Sequence, residues 1–594
     1  MTDKTLRIAA GCSADITLSM PQMAGYGEID YLVLDYLMEH SIAKMAGARA
    51  ANPMASFGAG LLGPEVMEVL PDLMARGIRI MTNAGGLDPL LCARLFREAA
   101  GARGLAPRIA VVHGDDVLDQ LPGDFTDMFS GAPVPGDLLS ANAYLGAQPI
   151  AEALRHAPDI VITGRVVDSA LTLGALIHEF GWALDDFHRL GTGSIIGHLL
   201  ECGAQPSGGI HTDWQQMDFA NPSFPIAEVS EDGSAVFFKV PGTGGRITRG
   251  TLGEQLTYEI GDPQRYFLPD VTADFSAVTL QELGPDRIRL SGGTGHPPTA
   301  TYKVCAMQQL GWRAVLSNPV VGKDATGKAR KIVAALLRRS EVLNARHNWG
   351  PLDQASAQYI GTGESMGAHA PAGATPSEVV YRLVADHPRR EAMEALMRVH
   401  GGTAASMAPG TPPPLGADIR PRMKLWSFLM EKSRVQPLLS IDDRTLAVGM
   451  HDQAGYDSAA LPPCPGIPPH PVTGTHTVPL ERLAYLRSGD KGDLVNIGVV
   501  ARDPAWLPWL SAALTPEVIR DWYAHLFADP AHARVDRYEM PGLGAFNFVL
   551  HDALDGGAVS SRRFDDMGKG LGQQLLDLPV RVPEGLLAAP TLQS

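Results

Sequence analysis

Short apolar runs alternate with amphipathic stretches over the first 200 residues of the chain. Each run has the length of a buried strand, and each is followed by Gly, Asp, Asn or His and then by a segment with helical spacing. This alternation predicts an α/β body with a parallel sheet and helices on its faces. The runs occupy residues 6–10, 31–34, 78–81, 108–112 and 159–162.

The pattern changes near residue 210. Between about 210 and 305, short alternating runs are interrupted by Gly and Pro, which predicts a β-rich insertion in the body. Residues 310–400 return to helix-forming segments, and proline is too dense for regular structure over 461–471. The predicted division is a body at 1–460, a proline-rich linker at 461–476 and a C-terminal domain at 477–594.

The C-terminal segment predicts a strand, a glycine-rich loop, a strand, a helix, two further strands and a last helix, which together form an α+β sandwich. The loop is RSGDKGD at 487–493. Its spaced backbone amides, with Arg487 and Lys491, could bind an anion such as a CoA phosphate, although Asp490 and Asp493 oppose a purely anionic ligand. An exposed or interdomain turn explains the same motif equally well.

Composition narrows the class of protein. The chain has 594 residues, of which 45% are hydrophobic and 19% charged, as in a globular protein of several domains. A net charge of -16 disfavours nucleic acid as a partner. No apolar run has the length of a membrane helix, and the start of the chain does not resemble a signal peptide. The five cysteines form no CxxC pair. We expect a cytoplasmic homo-oligomer with a small-molecule substrate and no membrane partner.

Polar residues follow all five predicted parallel strands. Because the carboxyl ends of parallel strands meet at one edge of a sheet, these residues predict a shared ligand site. Each Asp, Asn, Ser or Thr taken alone is explained equally well as a helix N-cap. The set consists of Gly11, Cys12, Ser13 and Asp15, then Asp35 and Glu39, then Thr82, Asn83, Gly85, Gly86 and Asp88, then His113, Gly114, Asp115 and Asp116, then Thr163, Gly164, Arg165 and Asp168.

Two pairs in this set have helical spacing. Arg165 and Asp168 are three residues apart at the predicted start of a helix, so Arg165 is a candidate for binding a substrate anion. Asp35 and Glu39 are four residues apart, and two like charges on one helix face destabilise it unless a cation or a function offsets them. Asp35 is therefore a second candidate substrate-binding residue.

A third group could carry other chemistry. Asn83 precedes Gly85 and Gly86, whose backbone could approach a carbonyl or phosphate closely, although a plain turn is the alternative. His113, Asp115 and Asp116 could transfer protons or hold a divalent metal, and their spacing does not decide between these roles. Cys12 is better explained as a buried packing residue than as a nucleophile. The glycine-rich segments at 241–246 and 291–298 match neither a dinucleotide nor a phosphate-loop motif, so the cofactor is unknown.

Several long segments are more specific than any short motif. They are GEIDYLVLDYLMEHSIA, TNAGGLDPLLCA, SANAYLGAQPIAEAL with APDIVITGRVVDSALTLG, and RSGDKGDLVNIGVVAR with MPGLGAFNFVL. Together they resemble the acyclic terpene utilisation family, called AtuA-like. The resemblance implies a ferredoxin-like fold for the C-terminal domain. It also implies a role in the catabolism of acyclic terpenes, in which branched acids are processed as CoA thioesters. It supplies no catalytic residues.

These observations lead to the hypothesis of a hydratase or lyase acting on a branched or unsaturated acyl-CoA, or on the matching hydroxy acid. Asp168 or Asp116 would be the base, His113 the acid, Asn83 the oxyanion site and Arg165 the anion anchor. One alternative is a metal-dependent hydrolase that uses His113, Asp115 and Asp116. Another is a non-catalytic partner subunit of an acyl-CoA carboxylase or dehydrogenase.

Overall fold

The structure is a computed structural model that describes residues 4–121, 125–370, 375–451, 454–464, 466–471 and 476–583. The strands are β1 Thr5–Cys12, β2 Tyr31–Asp35, β3 Arg79–Thr82, β4 Ile109–His113, β5 Leu138–Ala143, β6 Ile160–Thr163, β7 Pro225–Ser230, β8 Ala235–Lys239, β9 Tyr266–Phe267, β10 Thr272–Asp274, β11 Thr279–Gly284, β12 Arg287–Ser291, β13 Thr294–His296, β14 Thr301–Val321, β15 Gln354–Ile360, β16 Glu378–His387, β17 Gly416–Glu431, β18 Leu438–Ile441, β19 Arg444–Ala447, β20 His476–Pro479, β21 Ala484–Lys491, β22 Leu494–Ala501, β23 Val535–Met540, β24 Ala545–Leu550 and β25 Pro579–Val582.

The α-helices lie between these strands, and most follow a strand directly along the chain. They are α1 Ile16–Tyr26, α2 Glu39–Arg49, α3 Pro64–Ala75, α4 Pro89–Gly101, α5 Gln148–Leu154, α6 Ala170–Phe180, α7 Phe187–Leu200, α8 Arg249–Leu256, α9 Ala325–His347, α10 Arg390–Gly401, α11 Thr403–Ser406, α12 Leu507–Ala513, α13 Pro516–Trp522 and α14 Leu571–Leu575. Among the described residues, no helix has both the length and the apolar character needed to cross a membrane.

An eleven-stranded sheet forms the centre of the body, in the order β11-β12-β8-β7-β1-β2-β3-β6-β4-β18-β19. The five neighbouring strands β1, β2, β3, β6 and β4 are parallel. Their antiparallel neighbours β7 and β18 extend the sheet on each side. The five apolar runs of the sequence are these five parallel strands, so the predicted parallel α/β body is confirmed.

Successive apolar side chains along each parallel strand point to opposite faces of the sheet, which explains why both faces are covered. Ile8 and Ala10 point into the core that includes α5, α6 and α7, whereas Ala9 points into the core that includes α1, α3 and α4. Leu32 and Val33 on β2 are divided in the same way. Complete burial of a side chain of this size stabilises the fold by roughly 1.5–3 kcal/mol. The sheet is therefore fixed, and its strand ends have defined positions.

A second sheet was not expected from the sequence. It has the order β15-β16-β14-β17, and β5 pairs with the first half of β14. Residues 310–400 contain the predicted helices α9 and α10, but the prediction missed β15, β16 and most of β14. The reason is that β14 changes partners along its length: Val304 lies in the main core and Leu316 in a separate core with α9 and α10. Strand β14 therefore has no single alternation of apolar and polar residues along its whole length.

The C-terminal domain has a four-stranded sheet in the order β21-β22-β24-β23, and its core includes residues of α12, α13 and α14. The predicted loop at 487–493 was largely wrong, because β21 continues to Lys491 and only Gly492 and Asp493 form the turn. Gly492 has a positive φ of 61°. Polar side chains of this strand make hydrogen bonds: Ser488 Oγ donates to the carbonyl of Gly568 at 2.7 Å.

The segment predicted as a linker has little regular structure in its described part. The last helical turn before it is a 3₁₀ turn at Ser458–Ala460, and β20 begins at His476. Residues 465 and 472–475 lie outside the described residues. Cys12, Cys92, Cys202 and Cys305, all within the described ranges, form no disulfide bond.

The body packs directly on the C-terminal sheet through α8 and the residues after it. A methyl group built on Gly498 of β22 would lie 2.0 Å from Oγ1 of Thr257, so only glycine allows this approach. Asn547 Nδ2 donates to the carbonyls of Ile260 and Gly261, both at 2.7 Å, and Asn496 Nδ2 donates to Asn547 Oδ1 at 2.9 Å. The C-terminal sheet is therefore held between its own helices and the body.

Replacing Asn547 with Leu should destabilise the whole chain. The substitution keeps the size of the side chain but removes the donor from the buried carbonyl of Ile260 and the part-buried carbonyl of Gly261. A buried group left without a partner costs about 1–3 kcal/mol. We expect the free energy of unfolding to fall by roughly 2–4 kcal/mol, measured by urea denaturation followed by tryptophan fluorescence. The exposed Asp521→Ala is the control and should shift it by less than about 0.5 kcal/mol. Equal stability of the two variants would contradict this docking network.

Candidate functional site

The ends of β2 and β3 are joined by a buried amide. Asn83 follows β3 and is completely buried. Its Nδ2 donates to Oδ1 of Asp35 at 2.6 Å, and its Oδ1 accepts the backbone N–H of Tyr36 at 2.7 Å. Both ends of the Asn83 amide are therefore occupied by the protein. Asn83 positions the Asp35 carboxylate instead of presenting a free donor to a substrate.

Arg165 follows β6 and is the most buried cation near these strand ends. Its side chain is 2% exposed, its Nη1 donates to the carbonyl of Leu37 at 2.7 Å, and the same nitrogen lies 3.3 Å from Oδ1 of Asp168. The guanidinium carbon lies 4.1 Å from the centre of the Tyr144 ring. The buried Nε of Arg165 has no hydrogen-bond partner. An unpaired buried N–H of this kind can donate to an oxygen of a ligand.

The second sheet supplies another side of the site. Tyr144 comes directly after β5, and Lys303 lies on β14 beside it. The hydroxyl of Tyr144 donates to Oε1 of Glu39 at 2.7 Å, and Lys303 Nζ donates to the same oxygen at 3.4 Å. Lys303 Nζ also lies 5.0 Å from the centre of the Tyr144 ring. Glu39 is thus held by one phenol and one ammonium group.

The C-terminal domain contributes a further cation. Lys491, at the end of β21, forms an ion pair with Glu259 of the body, with 2.9 Å between Nζ and Oε2. Burial by itself would lower the pKa of Lys491. The carboxylates of Glu259 and Glu39 raise this pKa by a larger amount, so it lies well above its ordinary value. Arg165, Glu39, Lys303, Glu259 and Lys491 belong to one charged cluster. This charged cluster is therefore completed only when both domains are present.

Two carboxyl groups of the cluster hold a proton at neutral pH. Burial raises the pKa of Asp168 to about 8, with Glu201 and Asp35 adding to the effect and Arg165 opposing it. Burial likewise raises the pKa of Asp490 to about 8, with Glu259 and Glu39 adding to it. Carboxylates crowded into one buried region cannot all be ionised, so protons remain on some of them.

Glu39 has the opposite protonation. Burial by itself would raise its pKa, but Lys303, Lys491 and Arg165 lower it, and the pKa lies well below its ordinary value. Asp168 and Glu39 therefore belong to one cluster but differ in charge at neutral pH. A pair of carboxyl groups with separated pKa values is the arrangement that acid–base enzymes use.

The other strand-end candidates lie apart from this cluster. His113 Nε2 lies 2.9 Å from Oγ of Ser440 on β18. Asp115 is buried and accepts the backbone N–H of Arg165 at 2.9 Å, with a second bond from the side chain of Asn142. Asp116 accepts the backbone N–H of Leu118 at 3.0 Å. Across the described ranges, no group of three or more His, Cys, Asp or Glu side chains is arranged to hold a metal ion.

The remaining sequence candidates make close contacts with neighbouring groups. Gly85 packs closely on the carbonyl of Thr163, and Gly86 has a positive φ of 57° and packs against the carbonyl of Ser56. Arg487 is buried, with its guanidinium carbon 4.2 Å from the centre of the Tyr258 ring.

Two details of local structure differ from the sequence expectations. Asp35 ends β2 and Glu39 begins α2, so the two carboxylates do not share a helix face. Arg165 Nη1 and Asp168 Oδ1 approach each other in the loop before α6, which begins only at Ala170. The sequence predicted the contact between Arg165 and Asp168, but the two residues lie in a loop and not in a helix.

Sequence reasoning missed most of the residues that surround the strand ends. They come from other parts of the chain, and no local motif marks them. Glu201 follows α7, Glu259 follows α8, and Lys303 lies in the unexpected second sheet. Tyr144 follows β5 in the segment SANAYLG, where its position after a strand was the one available signal.

Cys12, at the end of β1, has the properties of a packing residue. Burial raises the pKa of its thiol to about 11. A thiol of this kind is protonated at neutral pH, and the thiolate is the form that acts as a nucleophile.

Comparison with known families gives two matches. The model of the acyclic terpene utilisation family protein AtuA matches residues 6–441, and the AtuA ferredoxin-like domain model matches residues 478–581. No curated protein and no solved structure matches the chain. The first match contains the strand ends with Asp35, Arg165 and Asp168, and the second contains Lys491. The chain therefore belongs to the acyclic terpene utilisation family AtuA, and its C-terminal part is an AtuA ferredoxin-like domain.

Proposed function

We propose that the chain is a catabolic enzyme that adds water to, or removes it from, a branched acyl thioester or the related hydroxy acid. The observation that carries the proposal is the arrangement of Asp168, Arg165, Tyr144 and Glu39 in one buried cluster. Burial there raises the pKa of Asp168, whereas Lys303, Lys491 and Arg165 lower that of Glu39, as in a general acid and a general base. The family's description, acyclic terpene utilisation, supports a catabolic role on branched substrates.

The roles follow from the charges. In the dehydrating direction, Glu39 accepts the proton from the carbon next to the carbonyl, and Asp168 gives its proton to the departing hydroxyl, which leaves as water. The hydrating direction is the reverse. Arg165 donates from its unpaired Nε–H to the carbonyl oxygen and stabilises the negative charge that develops there. Asp35 and Glu201 keep the proton on Asp168 through their charge.

This proposal changes the roles given by the sequence. Asn83 loses the oxyanion role because its amide is occupied by Asp35 and Tyr36. His113 and Asp116 are replaced because their side chains bind elsewhere. The metal-dependent hydrolase is not carried forward, since His113, Asp115 and Asp116 do not converge. Arg165 and Asp168 keep their roles as ligand-binding and proton-transfer residues.

Asp168→Asn should abolish most of the activity. The amide keeps the size of the side chain but cannot transfer a proton, and a positioned general acid contributes about 10²–10⁴-fold to a rate. We expect kcat/KM for hydration of a branched, unsaturated acyl-CoA to fall by at least about 100-fold. The assay is the loss of absorbance of the conjugated thioester.

The exposed Asp185→Asn is the matched control and should retain full activity. Full activity of Asp168→Asn would remove Asp168 from the mechanism. Absence of turnover by the unmodified chain, with co-purification of an acyl-CoA carboxylase or dehydrogenase, would instead favour a non-catalytic subunit.

The raised carboxyl pKa values also predict how stability changes with pH. Asp168 and Asp490 have pKa values of about 8 in the folded chain, against an ordinary value of 3.8, so the folded state retains protons that the unfolded state releases. Their contribution to stability is complete at acidic pH and is lost as pH rises through about 8. We expect the Tm to fall between pH 6 and pH 8, and to fall less in Asp168→Asn. Identical pH dependence of the two proteins would contradict the assigned protonation. The control Asp185→Asn should follow the unmodified chain.

A further inference from the structure

A pocket of about 500 Å³ opens between the body and the C-terminal domain, beside the charged cluster. This volume is within the range of about 300–1,000 Å³ that is typical of small-molecule sites. The body supplies Glu39, residues 127–130 and part of β17, and the C-terminal domain supplies the β21–β22 turn and residues 551–559. The pocket exists only where the two domains meet.

The walls of the pocket are fixed by close contacts. Asp127 Oδ1 accepts the backbone N–H of Ser130 at 2.8 Å, and its Oδ2 accepts the backbone N–H of Ser427 at 2.9 Å. A methyl group built on Gly557 would lie 2.7 Å from the carbonyl oxygen of Gly492. The segment at 127–130 is thus attached to β17, and the loop at 551–559 packs directly on the β21–β22 turn.

One part of the lining is apolar and exposed. Met128 and Phe129 are 47% and 45% exposed, and Leu425, Leu494 and Val559 line the same pocket. A methyl group built on Gly492 would lie 3.3 Å from Cε2 of the Phe129 ring, which places this ring beside the turn. A contiguous group of apolar side chains exposed in a concave site is typical of a surface that a hydrophobic ligand covers.

Another part of the lining belongs to the charged cluster. Glu39 and Asp490 both line the pocket, so the pocket gives access to Glu39, one of the proposed reacting groups. The ionised carboxylate of Glu39 repels a free carboxylate but tolerates a neutral carbonyl. Burial, with Glu259 and Glu39, raises the pKa of Asp490 to about 8, so its carboxyl carries a proton and no charge at neutral pH.

We propose that this interdomain pocket binds the branched hydrocarbon part of an acyl thioester, with the chain against Met128, Phe129 and Val559 and the carbonyl end of the thioester directed to Glu39. The direction of the carbonyl rests on the proposed function. Binding itself requires no reaction and can be measured alone. Lys424 and Arg534 are basic residues of the same lining and can face the phosphates of a CoA carrier.

The test is calorimetric titration of the full chain with citronellyl-CoA, citronellate and CoA. We expect citronellyl-CoA to bind at least tenfold more tightly than either of the other two. Phe129→Trp fills the pocket and should weaken citronellyl-CoA binding at least tenfold, while acetyl-CoA, which has almost no hydrocarbon chain, should be unaffected. Val559→Phe enlarges a different wall residue and should have the same effect. Phe219→Trp, at an exposed phenylalanine outside the lining, is the matched control.

The outcomes are distinct. Equal binding of citronellyl-CoA to the unmodified chain and to both filled variants would overturn the proposal. Equally tight binding of CoA alone, or tighter binding of citronellate, would also overturn it. Tight, Phe129-dependent binding without turnover would support the pocket and contradict the proposed reaction. Retained binding by Asp168→Asn, with turnover lost, would support both.

Discussion

Compensation of buried charge is the constraint on which the site depends. Removing a charge from water is unfavourable by several kcal/mol unless an opposite charge and hydrogen bonds replace the solvent. Arg165 is buried against Asp168 and Tyr144, and Glu39 is held by Tyr144 and Lys303. Arg165 and Lys491 each interact with more than one carboxyl group, so the position of each group affects the protonation of the others.

This dependence explains why the C-terminal domain is part of the site. Lys491 pairs with Glu259 and lowers the pKa of Glu39, although it lies on a different domain. The contact is possible because α8 packs closely on the C-terminal sheet at Gly498, and because Asn496 and Asn547 satisfy the polar groups buried there. A domain that docks in this way brings a cation to the strand ends and also forms one wall of the interdomain pocket.

The parallel strands were predictable because each is a short, continuous apolar run followed by a polar strand end. Those ends included Asp35, Arg165 and Asp168, which the structure brings to one region. Asn83 was also found, but its role was not, because its two hydrogen bonds run to groups that follow a different strand. His113 had the residue type of a proton-transfer group, but its side chain points to Ser440 on the antiparallel strand β18.

The sequence by itself determined the parallel sheet, the strand-end placement of its polar residues and the separate C-terminal domain, because these follow from local alternation of apolar and polar positions. Only the tertiary structure decided which strand-end residues share a site with Lys303, Glu259 and Lys491. Those three come from a long strand, the end of a helix and another domain, and their approach depends on sheet pairing and domain docking. Long-range packing leaves no periodic signal in the sequence, and buried electrostatics depends on distances that only packing sets.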